Sequence, residues 1–354
     1  MPKTSVLSGG NRRPSRHRRP DRRPPPGRRQ ARRRRMAASA TFLVIVLGLA
    51  VLLVAMAGNA SGPTQGPPAK QGLTPVKPPH ITPAPVGPTV PAAYGVASAP
   101  PGQRVQIHLR APLRSGLLFD VRTGRVLWAR EPSRLLPIAS LTKMMTALIV
   151  ATVARPGARV LITRAAVHFA GSGVGLLPLH RRVPLVPLLY GLMLPSGNDA
   201  AIALAQHVAG TQDRFIAMMN ERAREMGLGC THFTTVSGFV DAGNHSCAGD
   251  LAKMARAVLD VRLLARIVGS ASAALPFPIK GHKLYLYNNN PLYALGYPGT
   301  NGVKTGWTPA AGVCLVATAR HGRTWLGVVL LHSADEANQA PALLSAGFRA
   351  MRGA

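Results

Sequence analysis

Ser140-Leu141-Thr142-Lys143 opens a helical apolar pattern in which Met144, Met145, Leu148 and Ile149 recur on one face. Side chains three residues apart on a helix are neighbours, about one turn apart, so the Lys143 amine can reach the Ser140 hydroxyl. Two later strings complete the set, Ser196-Gly197-Asn198 and Lys304-Thr305-Gly306. Together they supply a hydroxyl nucleophile, amines to manage its proton, and a second hydroxyl and an amide for the leaving group, which is the inventory of acyl transfer on serine. Taken singly, each string reads as ordinary structure: an N-capping serine, a Ser/Asn turn, a strand lysine before a turn glycine. Their order in one chain carries the argument.

The physical requirements are specific. A lysine is a base only when neutral, and both burial and a nearby cation lower its pKa; Lys304 is the candidate cation. The helix start at Ser140 offers unpaired N–H groups where negative charge develops. Ser196 and Asn198 fall in a tight loop between two apolar helices. Gly306, lacking a side chain, lets a substrate backbone approach, and Lys304, Thr305 and Thr308 can grip a carboxylate.

Upstream, 116–120 and 125–129 flank Thr123-Gly124 as a hairpin. The middle predicts helices over 185–194, 199–209, 212–226 and 250–259. Strands are predicted over 283–287, 303–305, 313–319 and 324–331, before a closing helix from about Asp335. Strands at both ends of a helical middle predict an α+β unit: an antiparallel β-sheet flanked by helices, with a helical subdomain.

The 354-residue chain carries a formal net charge of +31. Residues 1–36 form an Arg-rich tail with thirteen Arg and one Lys against Asp21. Residues 37–57 hold no charge and have the length of a bilayer-crossing helix. The positive-inside rule keeps the tail cytoplasmic and sends the rest outside. Ala55-Met56-Ala57 fits a signal-peptidase site, but the apolar run exceeds a usual signal core, which favours an uncleaved single-pass membrane anchor over a secreted chain. Residues 58–104 are a Pro-rich, disordered linker, and 105–354 form the folded domain. Beside a membrane span the Arg run orients the protein and attracts anionic lipid, so no nucleic acid is expected as a partner. Of three cysteines, Cys314 sits in a buried-strand pattern, while a Cys230–Cys247 bridge is permitted by export and left open.

The blocks around the three strings, Pro137 to Ala147, Leu194 to Ala201 and Tyr297 to Thr308, resemble those of the serine D-Ala-D-Ala carboxypeptidases, the low-molecular-mass penicillin-binding proteins. The segment 215–228 leading into Thr231-His232-Phe233 does so too. The resemblance implies a β-lactamase/transpeptidase-like fold and peptidoglycan stem peptides as substrate, with β-lactams as covalent inhibitors. It also implies site roles. Ser140 is the acylated nucleophile, Lys143 its base, and Ser196 a proton relay to the departing D-alanine. Asn198 holds the substrate amide, and Lys304 with Thr305 holds the terminal carboxylate. The N–H groups of Ser140 and Trp307 form the oxyanion hole, beside Gly306 and Thr308. The chain departs from the family pattern at Val236-Ser237-Gly238-Phe239, where Pro-His-Gly-Leu or a relative is usual, and at Cys247, which replaces a Ser or Thr.

No Glu-x-x-x-Asn follows Ser196 before Lys304, which argues against a β-lactamase. None of the eleven His lies in a zinc pattern, so neither metal nor cofactor is expected. The expected activity is removal of the terminal D-alanine from pentapeptide stems; the alternatives are D,D-endopeptidase cleavage of cross-links and a non-catalytic wall-binding protein that retains the fold.

Overall fold

The computed structural model describes residues 95–100, 104–175, 177–239 and 243–352. The Arg-rich tail, the apolar run 37–57 and most of the Pro-rich linker lie outside them. In chain order the elements begin with β1 (Ala97–Ser98), β2 (Leu113–Asp120) and β3 (Arg125–Arg130). A 3-10 turn (Ala139–Thr142) runs into α1 (Lys143–Val153), followed by β4 (Arg159–Leu161), α2 (Arg164–Val167) and β5 (Arg182–Pro184). Helices α3 (Leu185–Met193), α4 (Asn198–Ala209), α5 (Gln212–Glu225), α6 (Ala248–Asp260) and α7 (Arg262–Val268) make up the middle. Strands β6 (Ser272–Pro276) and β7 (Lys283–Tyr287) come next, then α8 (Pro291–Ala294), β8 (Thr300–Thr308), β9 (Gly312–His321), β10 (Thr324–Ser333) and α9 (Glu336–Ala350).

The main sheet has the order β1-β3-β2-β10-β9-β8, so strands from both ends of the domain meet at β2 and β10. Every pairing is antiparallel except β1 with β3. That exception lies in the segment predicted as linker. Ala97, Ala99 and Val105 donate to carbonyls of Gly124, Val126 and Leu127, covering a strand edge that would otherwise keep unpaired groups. The buried Arg256 guanidinium fastens this corner by donating to the carbonyls of Gly95, Val121 and Arg122.

Both sheet faces are covered, and alternation decides which residue goes where. Leu117, Phe119, Cys314, Val316, Val329 and Leu331 face the helical layer built on α1, α4 and α6. Their neighbours Leu118, Leu315, Ala317, Val328 and Leu330 face α9 through Leu343, Leu344 and Phe348. Such two-sided burial produces near-continuous apolar runs, which is why these strands were visible in the sequence. Two small hairpins, β4–β5 and β6–β7, flank the helical layer. Neither β4, β5 nor β6 was predicted: three-residue strands are too short to show alternation, and Ser-Ala-Ala-Leu-Pro is poor in β-formers.

Cys230 and Cys247 form a disulfide with 5.6 Å between their Cα atoms, and Cys314 is free and buried.

Candidate active site

Ser140 sits inside the 3-10 turn, one residue after Ala139, whose φ is +47°. In a 3-10 turn, residues i and i+3 eclipse, which stacks Lys143 directly over Ser140. The Lys143 Nζ lies 2.8 Å from each of three oxygens: Ser140 Oγ, Asn198 Oδ1 and the Ser237 carbonyl. Lys143 is wholly buried, and Ser140 keeps 9% exposure. Burial pushes the Lys143 pKa well down, and the charge of Lys304 adds to this, against an opposing pull from Asp199. A neutral amine has two N–H donors and one lone pair. Asn198 Oδ1 and Ser237 O take the two donors, leaving the lone pair for the Ser140 O–H. The partners fix the amine's orientation, while burial and the Lys304 charge favour its neutral form.

The Ser196 to Asn198 loop closes α3 and opens α4. Asn198 Nδ2 donates to Ala170 O, and its backbone N–H to Ser172 O, so the amide is held from two sides. Ser196 has φ +71° and a buried Oγ with no hydrogen-bond partner among the described residues. An unsatisfied buried hydroxyl costs about 1–3 kcal/mol, and a left-handed non-glycine backbone adds strain. Asp199 braces the neighbouring segment: its carboxylate accepts from the N–H groups of Val174, Gly175 and Ala200. Burial raises the Asp199 pKa, and those backbone donors oppose the rise. A hollow of about 320 Å³ beside it is lined by Val167, Phe169, Gly173, Gly175, Leu177 and Asp199, and includes neither Ser140 nor Lys304.

Lys304, Gly306 and Thr308 alternate with Thr305 and Trp307 along edge strand β8. The first three are buried, Thr305 is half-buried and Trp307 is 64% exposed. Lys304 Nζ donates to Thr305 O, and burial lowers its pKa to about 7. Gly306 stands against the nucleophile turn: a Cβ there would lie 3.0 Å from the Ser140 nitrogen and 3.1 Å from Ile138 O. Thr308 Oγ1 accepts from Ala311 N, which holds the turn into β9. The structure thus gathers Ser140, Asn198 and the Ser237 carbonyl around the Lys143 amine, with Ser196 two residues before Asn198, and brings Gly306 against the Ser140 turn.

The sequence reading missed the segment between the two disulfide cysteines as part of the site. Ser237 contributes through its carbonyl, and Thr146 Oγ1 donates to the adjoining Val236 O at 2.7 Å. Gly238, with φ +72°, passes so close to the nucleophile turn that a Cβ would lie 2.0 Å from Ala139 O and 2.5 Å from Thr142 Oγ1. The glycine in Val236-Ser237-Gly238-Phe239 was the one available signal. Phe239 and Trp307, both exposed, leave the chain next to these two glycines and so flank the Ser140 turn.

A serine hydroxyl 2.8 Å from a buried lysine whose pKa burial lowers, between a sheet edge and a helical layer, is the arrangement of side chains that the Ser-x-x-Lys class presents. The model of the D-alanyl-D-alanine carboxypeptidase family matches residues 104–335, and the chain belongs to that family. It is 33% identical to the D-alanyl-D-alanine carboxypeptidase DacF of Bacillus subtilis over 59% of this chain and 54% of that one. It is 32% identical to DacC of Escherichia coli over 67% and 61% respectively. The chain thus spans between half and two thirds of the length of these relatives. The crystal structure of the Streptomyces K15 DD-transpeptidase superposes with a TM-score of 0.64 at 29% identity, covering 69% of this chain and all of that one. The fold is accordingly the β-lactamase/transpeptidase-like one.

Proposed function

We propose that this protein is a serine D,D-carboxypeptidase that releases the terminal D-alanine from peptidoglycan pentapeptide stems. The observation that carries this reading is the Lys143 amine, stripped of solvent and aimed at Ser140 by Asn198 and Ser237. In this scheme Ser140 Oγ attacks the carbonyl of the penultimate D-alanine while its proton passes to Lys143 Nζ. The oxyanion is met by the Ser140 and Trp307 N–H groups. Ser196, whose hydroxyl has no protein partner, passes a proton to the departing amine, and water then hydrolyses the ester. Lys304 and Thr305 bind the substrate carboxylate, Asn198 its amide, and Gly306 and Thr308 give β8 the shape to receive it. β-Lactams acylate Ser140 by the same attack, without metal or cofactor.

The Arg-rich tail and apolar run support a domain held outside the cytoplasm on a membrane anchor, and the disulfide suits that compartment. Among the described residues no helix is long and apolar enough to cross a membrane; the proposed span, 37–57, lies outside them and rests on the sequence alone. A pentapeptide assay tests the activity. Free D-alanine, lost in Ser140→Ala, supports it; exclusive cleavage of cross-linked dimers would make the protein an endopeptidase, and no turnover of either would leave only a binding role.

A further inference from the structure

The β6–β7 hairpin presents Tyr285 at 62% and Tyr287 at 68% exposure, while Leu284 and Leu286 between them are buried. Alternation puts both rings on the outer face, about 7 Å apart along the strand. Across the hairpin they face Ala274 and Ser272, residues too small to cover a ring. Neither tyrosine makes a hydrogen bond or ring contact among the described residues. Two large uncovered aromatics side by side are unusual on a surface that has no partner.

Their position gives the pair a meaning. Immediately after β7, Asn289 docks on the loop that carries Ser196: its N–H donates to Leu194 O at 3.2 Å and its Nδ2 to Pro195 O at 3.3 Å. At the rise of a strand, Tyr287 and Tyr285 therefore lie roughly 7 and 13 Å back along the chain from that contact. A stem peptide held with its last bond at Ser140 has about four residues between that bond and its sugar, a reach of at most roughly 14 Å. The reach of the peptide is comparable to the chain length from the Ser196 loop to the two tyrosines.

We infer that Tyr285 and Tyr287 form a platform for the glycan strand that carries the stem peptide, an inference that rests on the proposed action on such stems. The electron-rich face of a tyrosine ring favours the C–H face of a pyranose, and its rim hydroxyl suits a surface wetted at the edges. Two rings in a row accept two successive sugars.

The test uses the full chain and two substrates: a bare pentapeptide and the same peptide on an N-acetylglucosamine–N-acetylmuramic acid disaccharide. The unmodified chain is expected to favour the disaccharide form. In Y285A/Y287A that preference disappears through a higher KM on the disaccharide substrate, about threefold to tenfold per ring, with the bare-peptide rate unchanged. Y285F/Y287F keeps the preference, because ring faces and not hydroxyls make the contact. A preference that survives the double alanine change, or an equal loss on both substrates, overturns the platform. Calorimetric binding of the disaccharide-peptide to the Ser140→Ala chain reads the contact without turnover, so it separates failure of the platform from failure of the activity. There the double alanine change must weaken binding; unchanged binding rejects the inference.

Discussion

Replacing Lys304 with methionine is expected to stabilise the domain and to impair the site. Burial lowers the Lys304 pKa from 10.5 to about 7. Above 10.5 neither the folded nor the unfolded chain holds this proton, and below about 7 both do. In between, the unfolded chain binds more protons, so stability climbs with pH across that window and is lost again as pH falls through it. The gap corresponds to about 5 kcal/mol as an upper bound. Losing the hydrogen bond to Thr305 O offsets about 1 kcal/mol, and incomplete relief leaves a net gain of roughly 2–4 kcal/mol at neutral pH. For a domain of this size that raises the Tm by roughly 5–15 °C. Thermal melts of both chains between pH 6 and 10 read the effect. The unmodified chain should gain stability as pH rises, and the Lys304→Met chain should start higher and climb less steeply, keeping the part of the slope that Lys143, whose pKa burial also lowers, contributes over the same range. Acylation should fall at the same time, because Lys143 loses the neighbouring charge that helps to keep it neutral. An unchanged or lower Tm at neutral pH, or the same slope in both chains, would refute the reasoning.

Three further perturbations separate structure from chemistry. Gly238→Ala puts a methyl against Ala139 O and Thr142 Oγ1 in a left-handed backbone; a loss of about 2–5 kcal/mol in chemical denaturation is expected, together with slower acylation as Ser237 O leaves Lys143. Ser196→Ala removes a hydroxyl with no protein partner, so melting should hold steady or rise slightly while turnover falls about 10²–10⁴-fold if Ser196 relays a proton; unchanged turnover would remove it from that role. Cys230→Ser opens the loop that carries Ser237; a loss of about 3 kcal/mol is expected, with slower β-lactam acylation under otherwise identical conditions, and an unchanged acylation rate would free the loop from any part in orienting Lys143.

Much of this architecture was legible because the core writes itself into the sequence. The apolar stretches of β9 and β10 reflect burial on both faces, and the apolar run of α1 reflects burial on every side from Lys143 to Val150. Strands β4, β5 and β6 escaped notice because register and tertiary contact, rather than composition, make them strands, whereas β7 was read from its alternation. At the proposed site, Ser140, Lys143, Ser196, Asn198 and Lys304 could be read because the roles proposed for them belong to side chains. Ser237 could not, since any residue offers a carbonyl; only the adjoining Gly238 hints that the backbone there has no room for a side chain. Asp199 reads as an ordinary acidic residue in the first turn of a helix, yet it braces the segment holding Asn198.

Incubation of the full chain with a labelled penicillin, followed by intact mass and peptide mapping, addresses the reactive pair directly. One adduct per chain on Ser140, absent from Ser140→Ala and greatly slowed in Lys143→Met, is the expected result. An unmodified chain, or a label carried by Ser196 or any other residue, would contradict a nucleophile made reactive by a buried neutral amine.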